Sequence, residues 1–231
     1  MKRPVLLVID MLRDFLDSWE PDRRNRLVRS INELTGLVRA VSRPVIWVRQ
    51  EFEPDLRDAF LEMRAKGILI TIRGTTGSEV IPELSQDPSE SVIIKKRYSA
   101  FYGTSLDEQL ALLQPDAVIL AGINTHACVR TTAIDAYQRD WPVILATDCI
   151  DSNDREHHEI SLRYMKDKIA SVMTNEELRS ALDRSGAAAP IPRRIRRPRR
   201  ASNNATGRVG VQVPGGRYSG KLRLAVVPAA S

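Results

Sequence analysis

"AVILAGINTHACVRTTAIDAYQRD", residues 117–140, changes character halfway along. Its first six residues are apolar without a break, as in a strand covered on both faces. Residues 129–140 read as a helix. Between them lies a polar loop, "GINTHAC", at the strand's carboxyl end. Strand, loop and helix in this order are the unit of a parallel α/β sheet.

The unit recurs in both directions. "PVLLVI" (4–9), "PVIWVR" (44–49), "SVII" (91–94), "PVILATD" (142–148) and "IASVM" (169–173) read as further strands. Helices are predicted between them. Leu27, Ile31, Leu34, Val38 and Val41 recur at helical spacing after "EPD", and "DLRDAFLEMRAKG" (55–67) ends in Gly67. "SLDEQLALL" (105–113) carries Ser105 as its cap, and "REHHEISLRYMKDK" (155–168) turns Ile160, Tyr164, Met165 and Ile169 inward. Thr174 and Glu177 stand in capping-box register before a final helix. The whole predicts a mostly parallel sheet covered on both faces. In such sheets the active site lies at the carboxyl ends of the strands. Asp10, Lys95 and the "GINTHAC" loop all fall there. No phosphate-binding G-x-G-x-x-G or Walker pattern and no internal repeat occurs.

Composition narrows the function classes. The 231 residues suffice for one domain with a tail. No apolar run reaches the length of a membrane span. "MKRPVLLVID" reads as a first strand, not a secretory signal, which points to the cytoplasm. Cys128 and Cys149 are then expected as free thiols. Charge is unevenly spread. The last 48 residues hold eleven of the 35 Lys and Arg and no acid, leaving 24 bases against all 29 acids before them, a net of −5. The expected division is a hydrolase domain over 1–183 and a basic, disordered tail over 184–231. "RRIRRPRR" in that tail has the charge to bind nucleic acid or another polyanion, but lacks interleaved aromatics.

Cys128 stands at the loop-to-helix junction, where backbone N–H groups and the helix dipole favour a thiolate. The same N–H groups can hold an oxyanion formed by attack on a carbonyl. A carboxylate at Asp10 can accept the thiol proton and return it to a leaving group. A cation at position 95 would stabilise both negative charges. Singly, each residue has a plainer reading: Asp10 as a turn residue, Lys95 as a solvated charge, Cys128 as a small buried hydrophobe.

"LLVIDMLRDF", "KKRYSAFYGTSL" and "GINTHACVRTTAIDA", in this order, resemble the isochorismatase-like cysteine hydrolases. That group includes nicotinamidases, N-carbamoylsarcosine amidases, ureidoacrylate amidohydrolases and biuret hydrolases. The resemblance spans roughly residues 4–180. It implies a three-layer α/β/α, Rossmann-like fold with a six-stranded, mostly parallel sheet, assembled as a homodimer or homotetramer. It implies a catalytic triad of Asp10, Lys95 and Cys128. Lys95 is preferred to Lys96 because it stands three residues before the Tyr-Ser-Ala-Phe. It implies a cis peptide between Ile123 and Asn124, with the N–H groups of Asn124 and Cys128 as the oxyanion hole.

Two departures bear on the substrate. Nicotinamidases of this group carry an Asp-x-His metal site after the second strand, where this chain has "WVRQEFEPDLRD" and no histidine. No metal or other cofactor is therefore implied. Vinyl-ether-cleaving isochorismatases often lack the cysteine, so Cys128 favours C–N hydrolysis of a small amide, carbamoyl or ureido compound through a thioester. Vinyl ether hydrolysis is the second reading. Arg49 and Gln50 are candidates to bind a carboxylate or ureido group. Phe15 and Trp47 are candidate pocket walls, flanked by Tyr98 or Phe101. His126 is expected in a loop or subunit contact, and the adjacent His157 and His158 point apart on a helix.

Overall fold

The structure is a computed structural model that describes residues 1–166 and 168–184. The expected tail, 184–231, lies outside the described residues except for Arg184.

Six strands form one sheet: β1 (Pro4–Ile9), β2 (Val45–Gln50), β3 (Ser91–Lys95), β4 (Ala117–Gly122), β5 (Val143–Ile150) and β6 (Ser171–Met173). Their order is β3-β2-β1-β4-β5-β6, and every pairing is parallel. The chain winds outward from β1 to β3, then crosses back to β4 beside β1 and winds the other way. The β1/β4 seam is the switch point at which such sheets open a crevice.

Helices cover both faces. α1 (Arg13–Leu16), α2 (Pro21–Ala40) and α3 (Leu61–Lys66) precede β3. α4 (Leu106–Leu113), α5 (Arg130–Tyr137), α6 (Arg155–Met165) and α7 (Asn175–Asp183) follow it. One core holds Leu6, Val8, Val45 and Trp47 against Leu27, Ile31, Leu34 and Val38 of α2. The other holds Val5, Leu7, Ile9, Ile46, Val48 and Ile93 against Leu106, Leu110, Val129 and Ala133. Strand residues alternate between the two cores, as the two-residue period requires.

Several elements differ from the sequence reading. Residues 55–60 turn instead of entering the helix predicted over 55–67. Asp55 Oδ1 accepts from Arg57 N–H (3.1 Å), Asp58 Oδ1 accepts from Glu53 N–H (2.9 Å), and Leu56 takes a left-handed φ of 59°. Short carboxylates here satisfy the backbone in place of helical bonds. Gly67 does close α3, with φ 64°. Ser105 makes no capping bond; Thr104 Oγ1 accepts from Leu106 N–H instead (3.2 Å). On α6 the buried stripe is Ser161 and Met165, while Ile160 and Tyr164 face outward. A serine within the buried stripe hid that register. The capping box of Thr174 and Glu177 is present.

Candidate active site

Each of the four strands around the switch point supplies one part of a buried cluster. Asp10 follows β1, Gln50 ends β2, Lys95 ends β3, and Cys128 lies in the turn after β4. Gln50 and Lys95 are register partners, and Ile9, just before Asp10, pairs with both Val48 and Gly122. Lys95 reaches past β2 to place Nζ 2.7 Å from Asp10 Oδ2 and 3.4 Å from Cys128 Sγ. Asp10 and Lys95 are fully buried, and Cys128 is 4% exposed. The Gln50 amide donates to Asp10 Oδ1 (2.8 Å), and Lys95 Nζ donates to Gln50 Oε1 (3.4 Å).

Lys96 is turned away from this cluster. Its Nζ pairs with Asp58 (2.8 Å) and donates to the Glu51 carbonyl. Lys95 closes β3 and Lys96 lies just past it, so two identical neighbours part at the strand's end.

The backbone after β4 is shaped for close approach. Gly122 has φ 104°, and a Cβ there would lie 2.0 Å from the Ile9 carbonyl oxygen. The Ile123–Asn124 peptide is cis. Residues Thr125–Val129 form a single π-helical turn that runs into α5. In that turn Thr125 N–H donates to the Asp151 carbonyl, His126 N–H to Ser152 Oγ, and Ala127 N–H to the Asn124 carbonyl. The Cys128 N–H is the next amide along. Asn124 is steadied by Asn153, whose N–H donates to its Oδ1 (3.0 Å).

Burial and charge act on the cluster in opposite directions. Burial works to lower the Lys95 pKa, but Asp10 and Cys128 outweigh it, and the ammonium is favoured. Burial and then the Asp10 carboxylate push the Cys128 thiol up, against a downward pull from Lys95. The net direction is opposite to the lowering expected from the helix end alone. Asp10 Oδ1 is taken by the Gln50 amide, whereas Oδ2 faces Lys95 and retains lone-pair capacity to receive a proton.

Of the candidate substrate contacts, Gln50 joins the cluster and Phe15 lines a cavity of about 360 Å³ together with Asp14, Trp19, Arg23, Asn124 and Asn153. The other four are placed elsewhere. Trp47 is core on the α2 face, its indole N–H bonded to Glu90 (2.7 Å). Arg49 shares the strand face of Trp47, opposite Gln50, and pairs with Glu51 (3.0 Å). Phe101 is buried, with the Arg139 guanidinium 4.5 Å above its ring. Tyr98 is half-exposed and packs on Phe60 at 5.0 Å between ring centroids. His126 Nδ1 meets Ser152 Oγ (3.0 Å), and His158 Nδ1 meets Thr125 Oγ1 (3.0 Å). Among the described residues no group of three or more His, Cys, Asp or Glu is arranged to hold a metal ion, and no helix is long and apolar enough to cross a membrane. Cys128 and Cys149 are free thiols.

The Isochorismatase domain family model matches residues 4–177. The chain belongs to the isochorismatase family. It is a hydrolase of that family. It is 29% identical over 175 residues to an uncharacterized isochorismatase family protein, YaaI, of Bacillus subtilis (strain 168), covering 74% of this chain and 93% of that one. It is 28% identical over 179 residues to a probable isochorismatase of Pseudomonas chlororaphis, covering 77% and 85%. Among solved structures, N-carbamoylsarcosine amidase from Thermoplasma acidophilum superposes with a TM-score of 0.64 at 30% identity, covering 76% of this chain and 98% of that one.

Proposed function

We propose that this isochorismatase-family hydrolase is a cysteine-dependent amidohydrolase that cleaves a C–N bond in a small amide, carbamoyl or ureido compound. The observation that carries this reading is Lys95 Nζ lying between Asp10 Oδ2 (2.7 Å) and Cys128 Sγ (3.4 Å) in a buried site. The likeness to N-carbamoylsarcosine amidase supports it.

In this reading Asp10 Oδ2 takes the proton of the Cys128 thiol as sulfur attacks the substrate carbonyl carbon. Lys95 offsets the charge that passes from carboxylate to sulfur. The oxyanion is held by the N–H groups of Asn124 and Cys128. As the tetrahedral intermediate collapses, the C–N bond breaks and Asp10 gives its proton to the departing ammonia or amine. A thioester on Cys128 remains. Water then adds to that thioester, losing one proton to Asp10, and the acid leaves as sulfur recovers its proton. A single carboxylate serves both halves, which suits a site where Oδ1 accepts from the Gln50 amide and Oδ2 faces Lys95 Nζ.

The test is ammonia release from biuret, ureidoacrylate, N-carbamoyl amino acids, oxamate and nicotinamide, by wild type and Cys128→Ala side by side, with and without a chelator. Release by wild type alone, indifferent to the chelator, is expected. Equal turnover by Cys128→Ala would sink the mechanism. The likeness to a probable isochorismatase keeps vinyl ether hydrolysis as the second reading, and isochorismate is the substrate to assay if the panel is silent. Assembly into two or four copies is part of the proposal. Tyr137 of α5 and Ile160 and Tyr164 of α6 support it by presenting exposed apolar side chains.

A further inference from the structure

Lys95, Lys96 and Arg97 are three consecutive cations, and only the first enters the buried cluster. The next two hold the segment that follows β2. Lys96 Nζ pairs with the Asp58 carboxylate (2.8 Å), and Arg97 Nη1 donates to the Asp58 carbonyl (2.8 Å). The Arg97 guanidinium lies 5.1 Å from the Phe60 ring centre, on which Tyr98 also packs. The Glu51 peptide is held at both ends: its N–H donates to the Lys95 carbonyl (3.3 Å) and its C=O accepts from Lys96 Nζ.

Residues 51–80 contain a small core of their own, Phe52, Leu56, Ala59, Met63 and Ile72. A second fastening ties them to the chain just after Asp10. Thr71 N–H donates to Asp14 Oδ2 (2.6 Å), and Arg13 N–H donates to the Glu79 carbonyl (3.1 Å). The segment is therefore anchored beside both charged members of the cluster, across the carboxyl ends of β1, β2 and β3. Cys128 is only 4% exposed, so a substrate needs a way in.

We propose that residues 51–80 are a cap over the thiol, latched at Asp58 by Lys96 and Arg97, and that Lys96 is the positioning residue that seats Gln50 and Glu51 against Lys95 when the cap is closed. The inference rests on the proposed catalytic site for its meaning, but not for its test. The Asp58 carboxylate is shared between the latch and its own loop, since its Oδ1 also accepts from Glu53 N–H (2.9 Å). Loss of one partner frees the other to solvent, and local opening is set by such contacts.

The experiment is alkylation of the full chain by iodoacetamide, read cysteine by cysteine by peptide mass, in wild type, Lys96→Met, Lys96→Arg and Asp58→Asn. Cys149 is fully buried in the other core and reports opening of the whole fold. Cys128 is expected to react about tenfold faster in Lys96→Met and Asp58→Asn, the scale of one lost charge-assisted hydrogen bond. Lys96→Arg should stay near wild type, and Cys149 should not change. The two fast variants remove opposite charges, which shift a thiol pKa in opposite directions. Acceleration in both therefore reports exposure. Unchanged labelling of Cys128 in both, acceleration in only one, or an equal rise at Cys149, would overturn the latch. Labelling reads access whether or not Cys128 is the nucleophile, so an inactive panel and a failed latch remain distinguishable.

Discussion

Gln50 touches both charged members of the cluster at once. Its amide N–H donates to Asp10 Oδ1 at 2.8 Å, and its side-chain Oε1 lies 3.4 Å from Lys95 Nζ. The backbone contact survives any substitution except proline, whereas the side-chain contact does not. Gln50→Leu should keep the fold and Asp10 in place while Lys95 loses one acceptor. The expected result is a fall in kcat of about tenfold with little change in Tm, the worth of one hydrogen bond to a charged group. Steady-state kinetics on the substrate found by the panel, with a parallel melt, check it.

Lys95→Met leaves the Asp10 carboxylate buried without its partner. Breaking a buried pair from one side costs about 3–5 kcal/mol. The variant should melt well below wild type. Adding Asp10→Asn should recover most of that loss without restoring activity. Denaturant melts of the single and double variants test this, and a double variant no more stable than Lys95→Met would contradict it.

The thiol should titrate late. Burial and Asp10 both raise the Cys128 pKa, so alkylation of the empty enzyme should still be climbing above the free-cysteine value of about 8.5. Removing the negative charge with Asp10→Asn lowers that pKa and should speed alkylation at neutral pH. Lys95→Met removes the opposing cation and should slow it. Rate against pH for the three proteins gives the signs directly.

Gly122→Ala places a methyl group 2.0 Å from the Ile9 carbonyl oxygen, at a φ of 104° that side chains rarely adopt. The β1/β4 seam would have to part. The expected outcome is a loss above about 2 kcal/mol, as for other strained backbone substitutions, together with loss of turnover. A melt and an activity measurement on the same preparation decide it.

Acid should loosen the turn after β4 through His158. Burial lowers its pKa, followed by opposing effects of Asp151 and Glu159 (upward) and Arg23 and Arg155 (downward). The unfolded chain therefore binds a proton more readily than the fold. Stability from this residue is intact above about pH 6.5, the unfolded value, and is lost as pH falls below it toward the folded one. His126 shifts the same way, through burial and then the neighbouring His157. Tm between pH 7 and 5 should slope less in His158→Asn than in wild type.

Much of the fold was legible because parallel strands buried on both faces read as unbroken apolar runs. That same feature hid the rest. "VIWVRQ" is buried on both faces along most of its length, so alternation could not say that Gln50 shares a face with Ile46 and Val48 while Arg49 shares one with Trp47. Asp10 and the "GINTHAC" loop were visible as polar residues interrupting apolar runs. Lys95 and Lys96 are chemically identical, and only their places at and just past the end of β3 separate them. The Asp58 contacts join residues 38 apart, and no local pattern announces them. The short carboxylates at 55 and 58 turned a predicted helix into the loop that carries the latch.

The return of the chain to β1 after β3 sets an order of arrival during synthesis. Asp10, Gln50 and Lys95 leave the ribosome before Cys128, and β4 must find its seam beside β1 across more than a hundred residues. An unfinished chain thus holds Asp10 and Lys95 but not Cys128. The buried cluster therefore cannot close until four of the six strands have been made and β4 has docked beside β1.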